Sequence, residues 1–258
     1  MIIYKKSNCK INLNLKIVGI KDGFHMLESI FCPINIYDNL KVSLSTEDIV
    51  LGMDIPQESN IIYKTIKKFK MKYYIKENVK VEIDKNIPMQ AGLGGGSSNA
   101  AFVIVALNEM FDLKLSEREM IDFGKELGSD VPFFIVNKPS FVEGRGEIIT
   151  PLENFDKIYG ILIFDDVYMS TKEVFLKYDN LENKKSVSEN DLEEAVFLFE
   201  NGEKIKSCKE FLLECGCYKA LMSGAGGSVF GLCEKEDLDY IFKKAQERYK
   251  KVWKFKSI

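Results

Sequence analysis

The sequence predicts an α+β chain of two domains, residues 1–151 and 152–258. Three observations carry this expectation. The opening stretch alternates apolar and polar residues with the period of a strand, a strand, a glycine-rich loop and a helix follow one another near the middle of the first domain, and a fresh apolar strand pattern starts beyond Pro151. A chain of 258 residues also exceeds the span of one ordinary hydrophobic core.

In Lys10-Ile11-Asn12-Leu13-Asn14-Leu15-Lys16-Ile17 the alternation is strict, which predicts a strand with Lys10, Asn12, Asn14 and Lys16 on one face. Asparagine is a poor strand former, so its repetition there asks for a reason; a solvated face is the plain alternative. Asp22-Gly23 predicts a turn, with strands over 27–33 and 40–44 completing an antiparallel opening. Ile61, Ile62, Ile66, Phe69 and Tyr73 recur at helical spacing and predict a helix over 58–75 capped by Ser59. Val79, Val81 and Ile83 predict a strand that Pro88 ends; a helix over 97–111 follows the glycines, and another covers 116–127. Residues 128–132 form a turn before the apolar run 133–136. In the second domain a strand is expected over 158–164, a loop over 178–191, a helix ending within 208–217, a glycine-rich turn over 223–231, a strand over 229–233 and a helix over 235–250.

Composition narrows the function classes. Hydrophobic residues at 46% and charged residues at 29% suit a packed core, and 36 basic against 39 acidic residues give a net charge of −3. Without a basic excess, neither nucleic acid nor an anionic membrane is an expected partner. The longest apolar run, residues 100–107, falls far short of the roughly 20 residues of a membrane span. Residues 1–10 carry no apolar secretion segment, so the cytoplasm is the expected compartment, and no protein partner is expected. Six cysteines contain no CxxC pair and His25 is the single histidine, which excludes a Cys/His zinc set and any two-histidine mechanism. A serine hydrolase would need His25 as its base, and no GxSxG elbow supports one. Arg118, Arg145 and Arg248 are the only arginines, so most anion contacts fall to lysines or backbone N–H groups.

The strongest chemical signal is Pro88-Met89-Gln90-Ala91-Gly92-Leu93-Gly94-Gly95-Gly96-Ser97-Ser98. Backbone without Cβ atoms can approach a ligand closely, and the helix start that follows offers N–H groups to phosphate. No Lys-Ser or Lys-Thr follows, so this is no Walker A loop, and Ser97 replaces the third glycine of a dinucleotide fingerprint. A flexible turn is the alternative, which four costly glycines disfavour. Asp130, in Gly128-Ser129-Asp130-Val131-Pro132, is suited to orient a hydroxyl or take its proton, although a turn or cap is the commoner fate of such an aspartate. Lys10 and Asn12 would neutralise phosphoryl charge and bind a substrate oxygen. Phe24 and His25 offer a stacking face and a hydrogen-bonding edge to a nucleobase, against a core aromatic and a surface histidine. Ser223-Gly224-Ala225-Gly226-Gly227-Ser228 is either a second anion nest or a tight turn.

Taken in order, these segments resemble the GHMP small-molecule kinases, a family named for galactokinase, homoserine, mevalonate and phosphomevalonate kinases. Lys10-Ile11-Asn12-Leu13, Asp22-Gly23-Phe24-His25-Met26-Leu27, residues 128–134, Phe141-Val142-Glu143-Gly144-Arg145-Gly146-Glu147 and Ser170-Thr171-Lys172-Glu173-Val174-Phe175 match a branch whose alcohol substrate carries a cytidine diphosphate. The resemblance implies a ribosomal protein S5 domain 2-like ATP-binding domain, a ferredoxin-like C-terminal domain and an active site between them. It implies ATP and Mg²⁺, with no metal ligand marked beyond Ser98 as a candidate, and phosphorylation of the tertiary 2-hydroxyl of a cytidine-diphospho-methylerythritol. Lys10 and Asp130 would be the catalytic pair. Pro88, Gly92, Leu93, Gly94, Gly95, Gly96, Ser97 and Ser98 would hold the nucleotide phosphates, with Asn60 near adenine. Phe24 and Phe175 would sandwich the cytosine, His25 and Asn12 would bind polar edges, Arg145 would meet the diphosphate, and Thr171, Gly224 and Gly226 would complete the substrate side. The sequence departs from the family in having Phe24 where tyrosine is usual and Ala225 at the variable position of the late motif. A kinase for another alcohol, such as homoserine or mevalonate, and a silent nucleotide- or RNA-binding module are the rival readings.

Overall fold

The computed structural model describes residues 1–182 and 188–258. Strand β1 (Ile2–Asn12) starts well before the alternation at Lys10, and β2 (Lys16–Lys21) leads into β3 (Phe24–Ser45). Between them Asp22 and Gly23 take φ of 52° and 77°, the paired positive angles of a type I′ turn whose twist suits a tight hairpin. The two strands expected over 27–33 and 40–44 are one. Pro33, Asn35, Asp38 and Asn39 read as a break, but neighbours satisfy them: Asp38 Oδ1 accepts the Asn86 and Ile87 N–H groups at 2.8 Å, and Pro33 O accepts from Ile258 N at 3.1 Å.

After β4 (Ile49–Leu51), helix α1 (Ile61–Lys72) is capped by Asn60, whose side chain accepts the Ile62 N–H at 2.9 Å. Ser59, the expected cap, lies in a preceding 3₁₀ turn. Strand β5 (Asn78–Asp84) precedes α2 (Gly95–Met110), which starts two residues before its expected N-terminus, so that Gly95 and Gly96 are helical. Helix α3 (Glu117–Lys125) begins with a reciprocal capping box between Ser116 and Glu119. The apolar run after Asp130 forms α4 (Val131–Val136), ended by Asn137 in the left-handed region.

A hairpin that the periodicity left unread, β6 (Ser140–Gly144) and β7 (Ile148–Pro151), leads to β8 (Tyr159–Phe164) and α5 (Thr171–Asp179). The loop expected over 178–191 thus begins inside α5, and residues 183–187 of it lie outside the described residues. Helices α6 (Glu193–Phe197) and α7 (Gly202–Glu214), strands β9 (Lys219–Met222) and β10 (Ser228–Cys233), helix α8 (Leu238–Arg248) and β11 (Val252–Lys256) complete the chain.

The elements pack as two units assembled from separate stretches: Met1–Cys9, Ile36–Ile87 and Gly94–Lys138 in one, Lys10–Asn35, Pro88–Leu93 and Pro139–Ile258 in the other. In the first, β5 runs antiparallel to residues 39–45 of β3 and parallel to β4. Its core joins Ile62, Ile66 and Phe69 of α1 to Val103, Ile104 and Leu107 of α2, with Phe123 and Phe133 from α3 and α4, all buried. In the second, an antiparallel sheet ordered β11-β8-β10-β9 carries α7 and α8, and the first part of β3 pairs with β2 and β6. Residues Ile161, Leu162, Ile163 and Phe164 of β8 are all buried, as expected of a strand covered on both faces.

Candidate active site

The alternation on β1 places the chemistry but misjudges its surroundings, because Lys10 and Asn12 are 4% and 1% exposed rather than solvated. A lysine is seldom buried without partners. Here the Lys10 ammonium donates to Asn12 Oδ1 at 2.5 Å and lies 4.1 Å from the centroid of the Phe31 ring, a cation–π distance. Asn12 Nδ2 in turn donates to Ser29 Oγ at 3.0 Å, and Ser29 donates to the Asn14 carbonyl. The strand ends at Asn12, short of the expected run to Ile17, and both asparagines are engaged: Asn12 holds an ammonium, and Asn14, beyond the strand, accepts the Ile30 N–H through Oδ1 at 2.6 Å.

In the same unit the start of the glycine loop meets the second glycine-rich turn. A Cβ on Gly92 would fall 1.9 Å from Ser223 O, and Gly92 takes φ of 72°, so only glycine allows this approach. Ser223 Oγ donates to Gly92 O at 3.0 Å, and Ser228 N donates to Ala91 O at 3.1 Å. Gly224 and Gly226 are buried in this turn, and a Cβ on Gly224 would lie 3.4 Å from Asn12 Oδ1. Leu93 is buried and its carbonyl accepts the Lys10 N–H at 3.0 Å, while Pro88 is half-buried at the loop entrance. Residues 223–228 form a tight turn between β9 and β10, a strand-to-strand connection and not the helix-to-strand turn expected, and it is packed against the Lys10 strand.

In the other unit, Gly94 is the N-cap of α2 and no side chain caps the helix. Its first N–H groups, on Gly95, Gly96 and Ser97, are those that an anion would meet. Gly96 and Ser97 are half-buried, while Ser98 is fully buried and donates its hydroxyl to Asn8 O at 2.5 Å, with Ser7 Oγ 2.8 Å away. The Ser98 hydroxyl thus pegs α2 to β1. Asn60 is 2% exposed, with its amide oxygen spent on capping α1 and Nδ2 3.9 Å from Met53 Sδ. Asp130 stands half-buried at the N-cap position of α4, in the turn that precedes the helix, and its side chain makes no capping bond.

The aromatic cluster lies in the Lys10 unit. His25 stacks on Phe175 with centroids 4.6 Å apart at 28°, and its Nε2 is 2.8 Å from Asp179 Oδ1. Phe24 is 47% exposed, and the Arg145 guanidinium lies 3.6 Å from its ring centroid. Each ring expected to sandwich a base thus has one face covered by a neighbouring side chain. Arg145 sits on the β6–β7 turn, which Glu147 braces by accepting the Arg145 N–H at 2.7 Å. Thr171 is exposed at the first turn of α5.

Ser29 and Asp179 escaped the sequence reading. The second was within reach, since Ser170-Thr171-Lys172-Glu173 has capping-box spacing and Asp179 lies four residues beyond Phe175 on the helix so announced. No pattern marks Ser29. Among the described residues no group of three or more His, Cys, Asp or Glu side chains is placed to hold a metal ion.

The family model described as the GHMP kinases N terminal domain matches residues 60–138, and that for the GHMP kinases C terminal matches residues 175–251. A protein of Clostridioides difficile (strain 630) named 4-diphosphocytidyl-2-C-methyl-D-erythritol kinase is 38% identical, over 96% of this chain and 93% of its own. One of the same name from Clostridium tetani (strain Massachusetts / E88) is 36% identical over 98% and 99%. A crystal structure of 4-(cytidine 5'-diphospho)-2C-methyl-D-erythritol kinase shares the fold with a TM-score of 0.85 at 24% identity, covering 99% of each chain. With both family models matched in order and relatives this similar along their whole length, the chain belongs to the GHMP kinases.

Proposed function

We propose that this chain transfers the γ-phosphoryl group of ATP to the tertiary 2-hydroxyl of 4-(cytidine 5'-diphospho)-2-C-methyl-D-erythritol, giving the 2-phosphate and ADP. The observation that carries the reading is the buried Lys10 ammonium, held by Asn12 on a strand that also packs against the glycine loop. An ammonium shielded from water is worth more to developing phosphoryl charge than one in solution. In this reading Asp130 orients the hydroxyl and takes its proton, Lys10 neutralises charge on the migrating group, and the N–H groups at the start of α2 hold the nucleotide phosphates. Phosphoryl transfer depends on positioning and electrostatics more than on covalent help, so no enzyme-bound phosphoryl intermediate is required.

Mg²⁺ would neutralise the nucleotide phosphates. The cation would be carried chiefly by those phosphates, with Ser97 as the accessible neighbouring hydroxyl and Ser98 as the buried one beside it. The substrate's base would use Phe24, His25 and Phe175, and Arg145 would leave the Phe24 face for the diphosphate; Asn12, Thr171, Gly224 and Gly226 complete that side. Asn60 is assigned to the adenine end through the residues it caps. We take residues 1–151 and 152–258 as the two family domains. No helix among the described residues is long and apolar enough to cross a membrane. All six cysteines are free thiols, the usual state in a reducing compartment, and we take the cytoplasm as the setting.

Incubation with ATP, Mg²⁺ and, separately, the cytidine-diphospho-methylerythritol, homoserine and mevalonate, followed by ADP release, tests the reading. Turnover with the first alone is expected. Turnover with another alcohol alone would keep the kinase and discard the cytidine pocket, and silence with all of them would favour a nucleotide-binding module.

A further inference from the structure

We propose that Asn190 is a positioning residue for phosphoryl transfer: its buried carboxamide clamps the turn at residues 222–224 so that Gly224 seats the Asn12 carboxamide holding the Lys10 ammonium. The inference rests on the phosphotransferase reading. All the groups involved lie in the unit that carries Lys10.

Asn190 is 0% exposed and every polar atom of its side chain is spent. Nδ2 donates to Met222 O at 2.8 Å and to Gly224 O at 2.9 Å, the two carbonyls that flank Ser223, and Oδ1 accepts the Leu192 N–H at 3.0 Å. Only a primary carboxamide offers two donors and an acceptor in this arrangement; a carboxylate of the same shape would face two carbonyl oxygens with no proton to share. The backbone around Asn190 is tied to the end of the catalytic strand as well. Leu15 N donates to Glu189 O at 2.8 Å and Asp191 N donates to Leu15 O at 2.9 Å, three residues beyond Asn12.

The clamped turn reaches the chemistry in one step. Gly224, at φ 57°, brings its backbone beside Asn12, so that a Cβ there would be 3.4 Å from Oδ1 and 3.1 Å from Gly92 O. Asn12 Oδ1 accepts from the Lys10 ammonium at 2.5 Å. A shift of the turn therefore moves the acceptor that aims the lysine, while Asn190 itself contacts neither substrate nor nucleotide in the proposed reading. A purely structural role, as a cap of the following turn through Leu192, would instead lower stability and leave the rate of the folded enzyme alone.

Asn190→Asp and Gly224→Ala, compared with the parent and with Ile241→Val in the core of α8, separate these roles. The first two variants should lower kcat about 10- to 100-fold, the scale of a small misplacement in the site, while KM for ATP stays within about twofold. Ile241→Val should lower the thermal midpoint and leave kcat unchanged. Asn12 side-chain amide signals in NMR spectra of the labelled full chain should shift in Asn190→Asp and Gly224→Ala but not in Ile241→Val. A kcat near the parent's in folded Asn190→Asp overturns the proposal, as do unmoved Asn12 signals. If Asn190→Asp does not fold, Gly224→Ala decides by the same two readouts. If the parent itself turns over no cytidine substrate, the substrate reading fails separately, and the Asn12 signals alone decide whether Asn190 positions that carboxamide.

Discussion

Gly95 and Gly96 are adjacent in the first turn of α2, yet different neighbours ask for glycine at each. A Cβ on Gly95 would meet Ile87 Cγ2 at 3.0 Å and lie 3.4 Å from the Lys85 ammonium, so packing accounts for it. At Gly96 the nearest atom would be Ile61 Cγ2 at 3.7 Å, an ordinary contact, and no neighbour among the described residues requires the side chain to be absent. Since alanine is favoured over glycine in a helix by up to about 1 kcal/mol, Gly96→Ala should raise stability while weakening ATP binding, whereas Gly95→Ala should lower stability. Denaturant midpoints and nucleotide titration check both; unchanged ATP affinity in Gly96→Ala would remove the phosphate role from that residue. Asp130→Asn keeps the shape of the side chain and removes its basicity. It should retain nucleotide binding and lose at least about 100-fold in turnover, the lower range for a general base. At this scale the sequence reading located the polar side of β1 but not its burial, because alternation reports which residues share a face and never what covers that face. Lys10 and Asn12 could be named from the chain; their hydrogen bond to each other, with Phe31 beneath, could not.

Elements with a strong period were legible, and those ordered by distant partners were not. Strand β5 and helix α1 follow from residues inside them, whereas β3 runs unbroken through Pro33 and Asp38 because residues far along the chain satisfy its polar groups. Asp48 shows the same dependence in a form that pH can read. Its carboxylate accepts from Lys70 of α1 at 2.7 and 2.8 Å and from Val79 N of β5 at 2.9 Å, joining a helix to a strand. Burial by itself pushes the Asp48 pKa up, but the Lys70 hydrogen bond, the Val79 N–H and the charges of Lys70 and Lys67 outweigh it and hold the group below the usual aspartate range. A pKa lower in the folded than in the unfolded chain means that the unfolded chain binds the proton more readily. The contribution to stability is therefore complete above the unfolded value of about 3.9 and lost as pH falls through the folded one. Parent and Asp48→Asn should differ in urea midpoint at neutral pH and converge below about pH 4, where the parent's own carboxylate is being neutralised. A gap that stays constant down to pH 3 would show that packing, not charge, accounts for the difference.

For the whole chain, length and a fresh strand pattern after Pro151 suggested a division at one point in sequence, and periodicity has no means of revealing that compact units are interleaved. The stretches Lys10–Asn35 and Pro88–Leu93 belong with Pro139–Ile258. Leu15 is buried in the core formed by Ile161, Ile163, Ala195 and Val229, while Ile258 N donates to Pro33 O at 3.1 Å and Ser228 N to Ala91 O at 3.1 Å. Lys256 N donates to Asn35 Oδ1 at 2.7 Å, so the C-terminal strand is also fastened to the early segment. A fragment of residues 152–258 keeps the sheet β11-β8-β10-β9 but loses the side chain that fills one part of its core and the carbonyls that receive these amides. Of these only the Ser228 amide belongs to a buried residue, and a buried group left without its partner costs about 1–3 kcal/mol, which adds to the lost Leu15 packing against the 5–15 kcal/mol that holds a domain together. The fragment should therefore show a poorly dispersed amide spectrum and no cooperative urea transition, while the full chain unfolds cooperatively. A cooperative transition in the fragment alone would mean that β8 to β11 and their helices form a self-sufficient core, and that the early segments dock onto it instead of completing it.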